Sequence, residues 1–237
     1  MRHDTIVIDP RFCGPPNSGN GGYVCGRLAK FIDGPAVVRL RVPPPLSAEL
    51  RVQRTQAGVS LIRGGTIIAE GWPAAVQVEV PDAPTPSEAK AASRKYRGFT
   101  SHWFPSCFVC GPKRGINDGL RIFPGEVAGR KLVSSPWEPD KSLCDGRGRV
   151  LPEFMWAALD CPGAFTFPKA AQSIVLLGEL AVTLSGFVSA GERCLVIGWE
   201  ITQEGRKHHT GTALFSESGA CCGVGRAIFF EMENHRE

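Results

Sequence analysis

The chain has 237 residues, 43% of them hydrophobic, which suits one large domain or two small ones with a sizeable core. Its formal net charge of +4 comes from scattered basic residues, weak support for nucleic acid and compatible with a small phosphate-bearing ligand. With no apolar leader after Met1, no apolar run of about 18 residues and an odd count of nine cysteines, the sequence predicts a cytoplasmic chain with reduced thiols and no membrane association.

In chain order, a first helix is expected to open at Asn20-Gly21-Gly22 and run toward Ala29. Each glycine at such a start costs about 1 kcal/mol relative to alanine. Either the glycines extend the turn cluster Pro15, Pro16, Asn17, Ser18, Gly19 and Asn20, or they let a polarised oxygen approach the free N–H groups of the first turn. Short β-prone runs from Ala36, Ala48, Gly58 and Gly65 predict an antiparallel meander. Pro81, Pro84 and Pro86 lead into the polar stretch Ser87–Gly98, read as a linker with one short surface helix.

The second half repeats this grammar. An entering strand is expected from Gly119 (GLRIFPG), a helix over Val150–Asp160, and strands from Gly178, Arg193, His209 and Gly223. Leu46-Ser47-Ala48 aligns faintly with Val188-Ser189-Ala190. Two units follow, residues 1–80 and 102–237, joined by a linker over 81–101.

Between Phe154 and Leu159 the second helix is apolar on every side, the pattern of a buried helix. Asp160 in its last turn opposes the helix dipole and stands one turn from Trp156, which predicts a raised pKa. It either caps the following loop, pairs with an arginine or works at a site. Glu153 reads as an ordinary first-turn acid. Cys107-x-x-Cys110-Gly111 has the shape of a zinc knuckle, with His102 and the more distant Cys144 as the further ligands in view; free packing cysteines are the competing reading. His208 and His209 read as surface or packing residues.

These residues resemble the hotdog-fold thioesterases, and the resemblance implies an α+β double hotdog, two tandem units each wrapping an antiparallel sheet around a central helix. In the phenylacetyl-CoA thioesterase branch the helix starts His-Gly-Gly, and an acid follows the second glycine by seven residues. Asn20-Gly21-Gly22 is similar to that start, with asparagine for histidine, but Ala29 stands where the acid would be. In the second half Asp160 holds the acid position, while Leu151, Pro152 and Glu153 stand where His-Gly-Gly would. Each half has what the other lost, so a hotdog pair would have one complete site.

The resemblance implies hydrolysis of an acyl-CoA thioester. The N–H groups of Gly22 and Tyr23 would polarise the carbonyl, Asp160 would activate water or attack directly, and Asn20 would orient the reactants. Gly21 and Trp156 would line the substrate, although plain core packing serves Trp156 equally well. Arg206 and Lys207 are candidates for the coenzyme A phosphates, with a solvated turn as the alternative. No cofactor is expected beyond the coenzyme A of the substrate, and no metal in catalysis. Acyl-CoA is the expected partner, and homo-oligomers of the chain are open. A non-catalytic acyl-CoA binding module or sensor is the competing class; a dehydratase is disfavoured because no histidine lies near Asp160 in sequence.

Overall fold

The computed structural model describes residues 4–167 and 173–232. The first half contributes β1 (Thr5–Val7), α1 (Gly21–Ala29), β2 (Ala36–Leu40), β3 (Glu49–Arg54), β4 (Val59–Arg63) and β5 (Thr66–Pro73). After α2 (Pro86–Ser93) come β6 (Gly125–Glu126), β7 (Val133–Trp137), α3 (Pro152–Ala158), α4 (Cys161–Ala164), β8 (Val175–Leu184), β9 (Cys194–Glu204), β10 (Lys207–Phe215) and β11 (Cys221–Glu231). All eleven strands form one antiparallel sheet in the order β1-β3-β4-β5-β2-β8-β11-β10-β9-β7-β6. Among the described residues, no helix is long and apolar enough to cross a membrane.

The two halves meet at β2 and β8, paired from Ala36↔Val182 to Arg39↔Glu179. Arg39 and Glu179 close this seam with an ion pair at 2.7 Å. The two halves also share a local device. The chain just before α1 bridges the turn after β2 (Gly19 N–H to the Pro44 carbonyl, 2.8 Å), and the chain just before α3 bridges the turn after β8 (Val150 N–H to the Val188 carbonyl, 2.9 Å).

The helices bury their apolar sides in one core that includes Val24, Leu28, Met155, Leu159, Leu180 and Phe229. A smaller cluster of Ala92, Val127, Leu132, Ile197, Trp199, Ala213 and Phe215 involves α2, β9 and β10, with Val78 and Val80, after β5, packed against it. The short helix expected in the connecting segment is α2, opened by a Thr85–Glu88 capping box that satisfies two orphan N–H groups.

Four elements differ from the sequence expectation. The run from Gly119 is not a strand: the N–H groups of Leu120 and Ile122 bond the carbonyls of Phe108 and Val109, each at 2.8–2.9 Å, and Arg121 takes a positive φ of 55°. The backbone of Leu120 and Ile122 therefore pairs with the Cys107–Cys110 turn and takes no place in the sheet, while Phe123 packs against Tyr96 and Phe99. The strands found nearby, β6 and β7, and the three-residue β1 carry no long alternating pattern.

What fixes the helices relative to one another is missing volume on α1. A Cβ built on Gly26 would lie 2.7 Å from Glu153 Cα and 2.8 Å from Trp156 Cβ; one on Gly22 would lie 2.5 Å from Asp160 Cβ and 2.9 Å from the Trp156 carbonyl oxygen. Most of these obstacles are backbone or Cβ atoms, which cannot rotate away. Gly26→Ala is therefore expected to destabilise the fold by about 1–3 kcal/mol despite its better helix propensity, the usual cost of overpacking. Urea denaturation of the variant checks this, and an unchanged or raised midpoint would contradict the packing.

Candidate active site

Asn20 is the N-cap of α1, and its Oδ1 accepts the Tyr23 N–H at 2.9 Å. Its amide nitrogen turns the other way and donates to Asp160 Oδ2 at 3.1 Å. The Gly22 N–H donates to the same oxygen at 2.9 Å. The acid of the second half thus sits directly on the glycine start of the first, across 138 positions of sequence.

Asp160 is fixed by its backbone as well. It lies between α3 and α4, and the carbonyl of its neighbour Leu159 accepts the Thr212 hydroxyl of β10 at 2.8 Å. Its side chain does not cap α4. It caps α1 from outside, where the positive end of that helix dipole favours a carboxylate. The expectation that it merely opposes the dipole of its own helix therefore gives way to a second, favourable helix end. Burial nevertheless dominates and pushes the Asp160 carboxyl up to about 7, against the lowering effect of the Gly22 N–H.

Asp160, Asn20 and Gly21 line a cavity of about 430 Å³, within the range of about 300–1,000 Å³ usual for ligand sites. Val175, Leu177, Phe165, Phe229, Phe230 and Met232 supply an apolar wall. Oδ2 of Asp160 takes both hydrogen bonds, and Oδ1 has no hydrogen-bond partner among the described residues. The Gly21 N–H, in the first turn of α1, has no intrahelical partner by position.

Not every expected residue comes here. Tyr23 does not line the cavity; its ring stacks on Phe12 at 4.3 Å and packs near Phe154, because it projects from another face of α1. Trp156 is buried against Gly26 and belongs to the helix contact. The Gly22 and Tyr23 N–H groups, expected to meet a carbonyl, are engaged by Asp160 and Asn20. Arg206 and Lys207 flank the β9–β10 turn outside the cavity lining, though Lys207 Nζ stands 6.0 Å from the centroid of Phe230 on the wall. Glu153 is more than a solvated first-turn acid: it is buried and pairs with Lys30 at 3.2 Å. His208 is buried and stacked on Phe167 at 3.8 Å, consistent with packing.

The cavity also holds residues that sequence reasoning missed. Arg41, at the end of β2, is a cation on its lining and pairs with Glu70 at 2.7 Å. Cys161, next to Asp160, joins Cys107 and Cys110 in a buried trio whose sulfurs all lie within 4.8 Å of one another. Cys144, suggested as a distant ligand, is not among them; its Sγ points to the Asp140 carbonyl.

No family model and no curated protein sequence matches the chain. Solved structures do. A hot dog fold protein of unknown function from Alicyclobacillus acidocaldarius superposes with a TM-score of 0.59 at 8% identity, covering 97% of this chain and 92% of that one. The chain has the hotdog fold. An acyl-CoA thioesterase II of Mycobacterium marinum (TM-score 0.58, 14% identity, 93% and 92% coverage) and the tesB protein of Mycobacterium avium subspecies paratuberculosis (0.57, 13%, 92% and 90%) share it. Its α+β architecture, an antiparallel hotdog sheet carrying buried helices, is thereby established.

Within this site Asn20 both caps α1 and holds Asp160, so Asn20→Ala should cost about 1–2 kcal/mol through loss of the cap and of the Asp160 bond. Asn20→Ser keeps a capping oxygen and should recover part of that loss. Thermal melts of both variants check this, and equal stability of wild type and Asn20→Ala would contradict the dual role.

Proposed function

We propose that the chain hydrolyses an acyl-CoA thioester at one site, built where the start of α1 in an N-terminal hotdog unit (residues 1–80) meets Asp160 of a C-terminal unit (residues 102–237). The observation that carries the reading is the carboxylate of Asp160, anchored through Oδ2 by Gly22 and Asn20 while Oδ1 is left without a partner beside an apolar cavity. The matching bridges ahead of α1 and α3 support two tandem units, with residues 81–101 as the connection.

The acyl chain lies along the apolar wall, and the thioester carbonyl accepts the Gly21 N–H at the positive end of α1, which stabilises the developing oxyanion. Asp160 Oδ1 takes a proton from the attacking water as the water oxygen bonds the carbonyl carbon, the C–S bond breaks and that proton passes to the departing coenzyme A thiolate, while the bonds to Oδ2 keep the carboxylate aimed. The coenzyme A phosphates are met by cations at the rim, Arg41 together with Arg206 and Lys207. No cofactor beyond the coenzyme A of the substrate is needed for these steps.

A specific observation favours a second reading, an acyl-CoA binding module: the Gly22 and Tyr23 N–H groups are already engaged within the protein, which leaves fewer donors for an oxyanion. The two readings separate on a panel of acyl-CoAs. Because the chain carries nine cysteines, release of coenzyme A is followed by chromatography in preference to a thiol dye. Hydrolysis by the wild-type chain is expected, with Asp160→Asn lowering turnover by about 100-fold to 10,000-fold while acyl-CoA still binds. Glu153→Gln should leave turnover largely intact. Full activity in folded Asp160→Asn would contradict the mechanism; binding with no turnover by any member would establish the module.

A further inference from the structure

We infer that Cys107, Cys110 and Cys161 bind a zinc ion, with His102 donating a hydrogen bond to one of the ligand sulfurs. The three thiols come from two distant segments and converge at the back of the cavity, all of them buried. Zinc held at about 2.3 Å by thiolates in a tetrahedron places its sulfurs about 3.8 Å apart. Cys107 Sγ and Cys161 Sγ are 3.8 Å apart, and all three sulfurs lie within 4.8 Å of one another. That spacing is far longer than the roughly 2.05 Å of a disulfide.

The local backbone is built for the purpose. Cys107-Phe108-Val109-Cys110 closes in a tight turn in which the Gly111 N–H donates to the Cys107 carbonyl at 2.9 Å. A side chain at Gly111 would lie 2.5 Å from the Cys107 nitrogen and oxygen, so glycine is required for both thiols to point to one spot. Among the described residues no other group of three His, Cys, Asp or Glu side chains is arranged to share an ion, although the chain has six further cysteines.

His102 is the fourth residue expected from sequence, but its hydrogen bonds assign it another task. The Phe104 N–H donates to Nδ1 at 2.9 Å, which leaves the ring proton on Nε2, 3.3 Å from Cys110 Sγ. A nitrogen that carries a proton cannot ligate, whereas it can donate to a thiolate and hold it in place. Three protein ligands leave the fourth position to solvent from the cavity that all three cysteines line. On binding, the thiol protons leave to solvent and three thiolates face one divalent ion.

The ion would act as a clamp on the carboxylate. Cys161 directly follows Asp160, and Cys107 Sγ accepts from the Asn20 amide at 3.9 Å. The inference stands independently of thioester hydrolysis, and its test reads metal directly.

The full chain, purified from zinc-supplemented medium and desalted, is expected to carry about one zinc by mass spectrometry of the metal. Replacement by cobalt should give sulfur-to-cobalt charge-transfer absorption and the strong visible bands of a tetrahedral site. Cys107→Ser and Cys161→Ser should lose the metal, Cys25→Ser should keep it, and His102→Ala should weaken zinc affinity by roughly 10-fold to 100-fold in competition with a chelator. If the serine variants fail to fold, the cobalt spectrum of the wild-type chain decides alone. Absence of zinc uptake by the reduced chain, a cobalt spectrum without sulfur charge transfer, or a Cys107–Cys110 disulfide in the freshly isolated protein would each overturn the inference.

Discussion

The approach of α1 to α3 is the constraint on which the rest of the molecule depends. Glycines at 22 and 26, one helical turn apart, strip one face of α1 so that backbone atoms of the second half can lie against it. Any side chain there would push the helices apart, and the Gly22 N–H would no longer reach Asp160. The same closeness excludes water from the junction, so the hydrogen bond and the helix dipole act in a low-dielectric setting where they are stronger. Helix packing and site electrostatics are therefore one design.

Asp160 shows how opposing effects are balanced. Burial alone favours the neutral acid, and the two donors at Oδ2 favour the anion without fully offsetting burial. The outcome is a carboxyl poised near neutrality, fixed in orientation by both helices and by Thr212 of the sheet. A buried thiol cluster stands beside it. There the Cys107 thiol is held well below its ordinary pKa because Cys110 and Cys161 donate to it, and those two are pushed up.

Much of this was legible in the sequence. Alternation and turn residues gave β2 to β5 and β8 to β11, whereas the convergence of Asn20, Gly22 and Asp160 was expected only through the resemblance to hotdog thioesterases, whose motif each half keeps in part. β7 was hidden by its own composition, since Ser134, Ser135 and Pro136 do not read as a strand. Pro136 is tolerated because β6 pairs only as far as Ser134, which leaves β7 an edge at the proline. Tyr23 was misplaced because it follows Gly21 by two residues and so projects about 200° around the helix, away from the cavity. Cys161 carries no motif of its own; 54 residues separate it from Cys107, and only the fold brings them together.

The seam between β2 and β8 has a consequence for how the chain acquires its structure. As the polypeptide emerges from the ribosome, β2 is complete long before its partner, which follows by some 140 positions, as the Arg39–Glu179 pairing shows. Until then one flank of β2 offers unpaired N–H and C=O groups to any strand nearby, a template for association with the wrong chain. Contacts this distant in sequence are slow to form because loop closure must come first. The cavity, whose wall needs β8 and β11, is thus among the last parts of the molecule to assemble, and a chain cut short before β8 would hold Asn20, Gly22 and Asp160 beside an open sheet edge with no wall to enclose them.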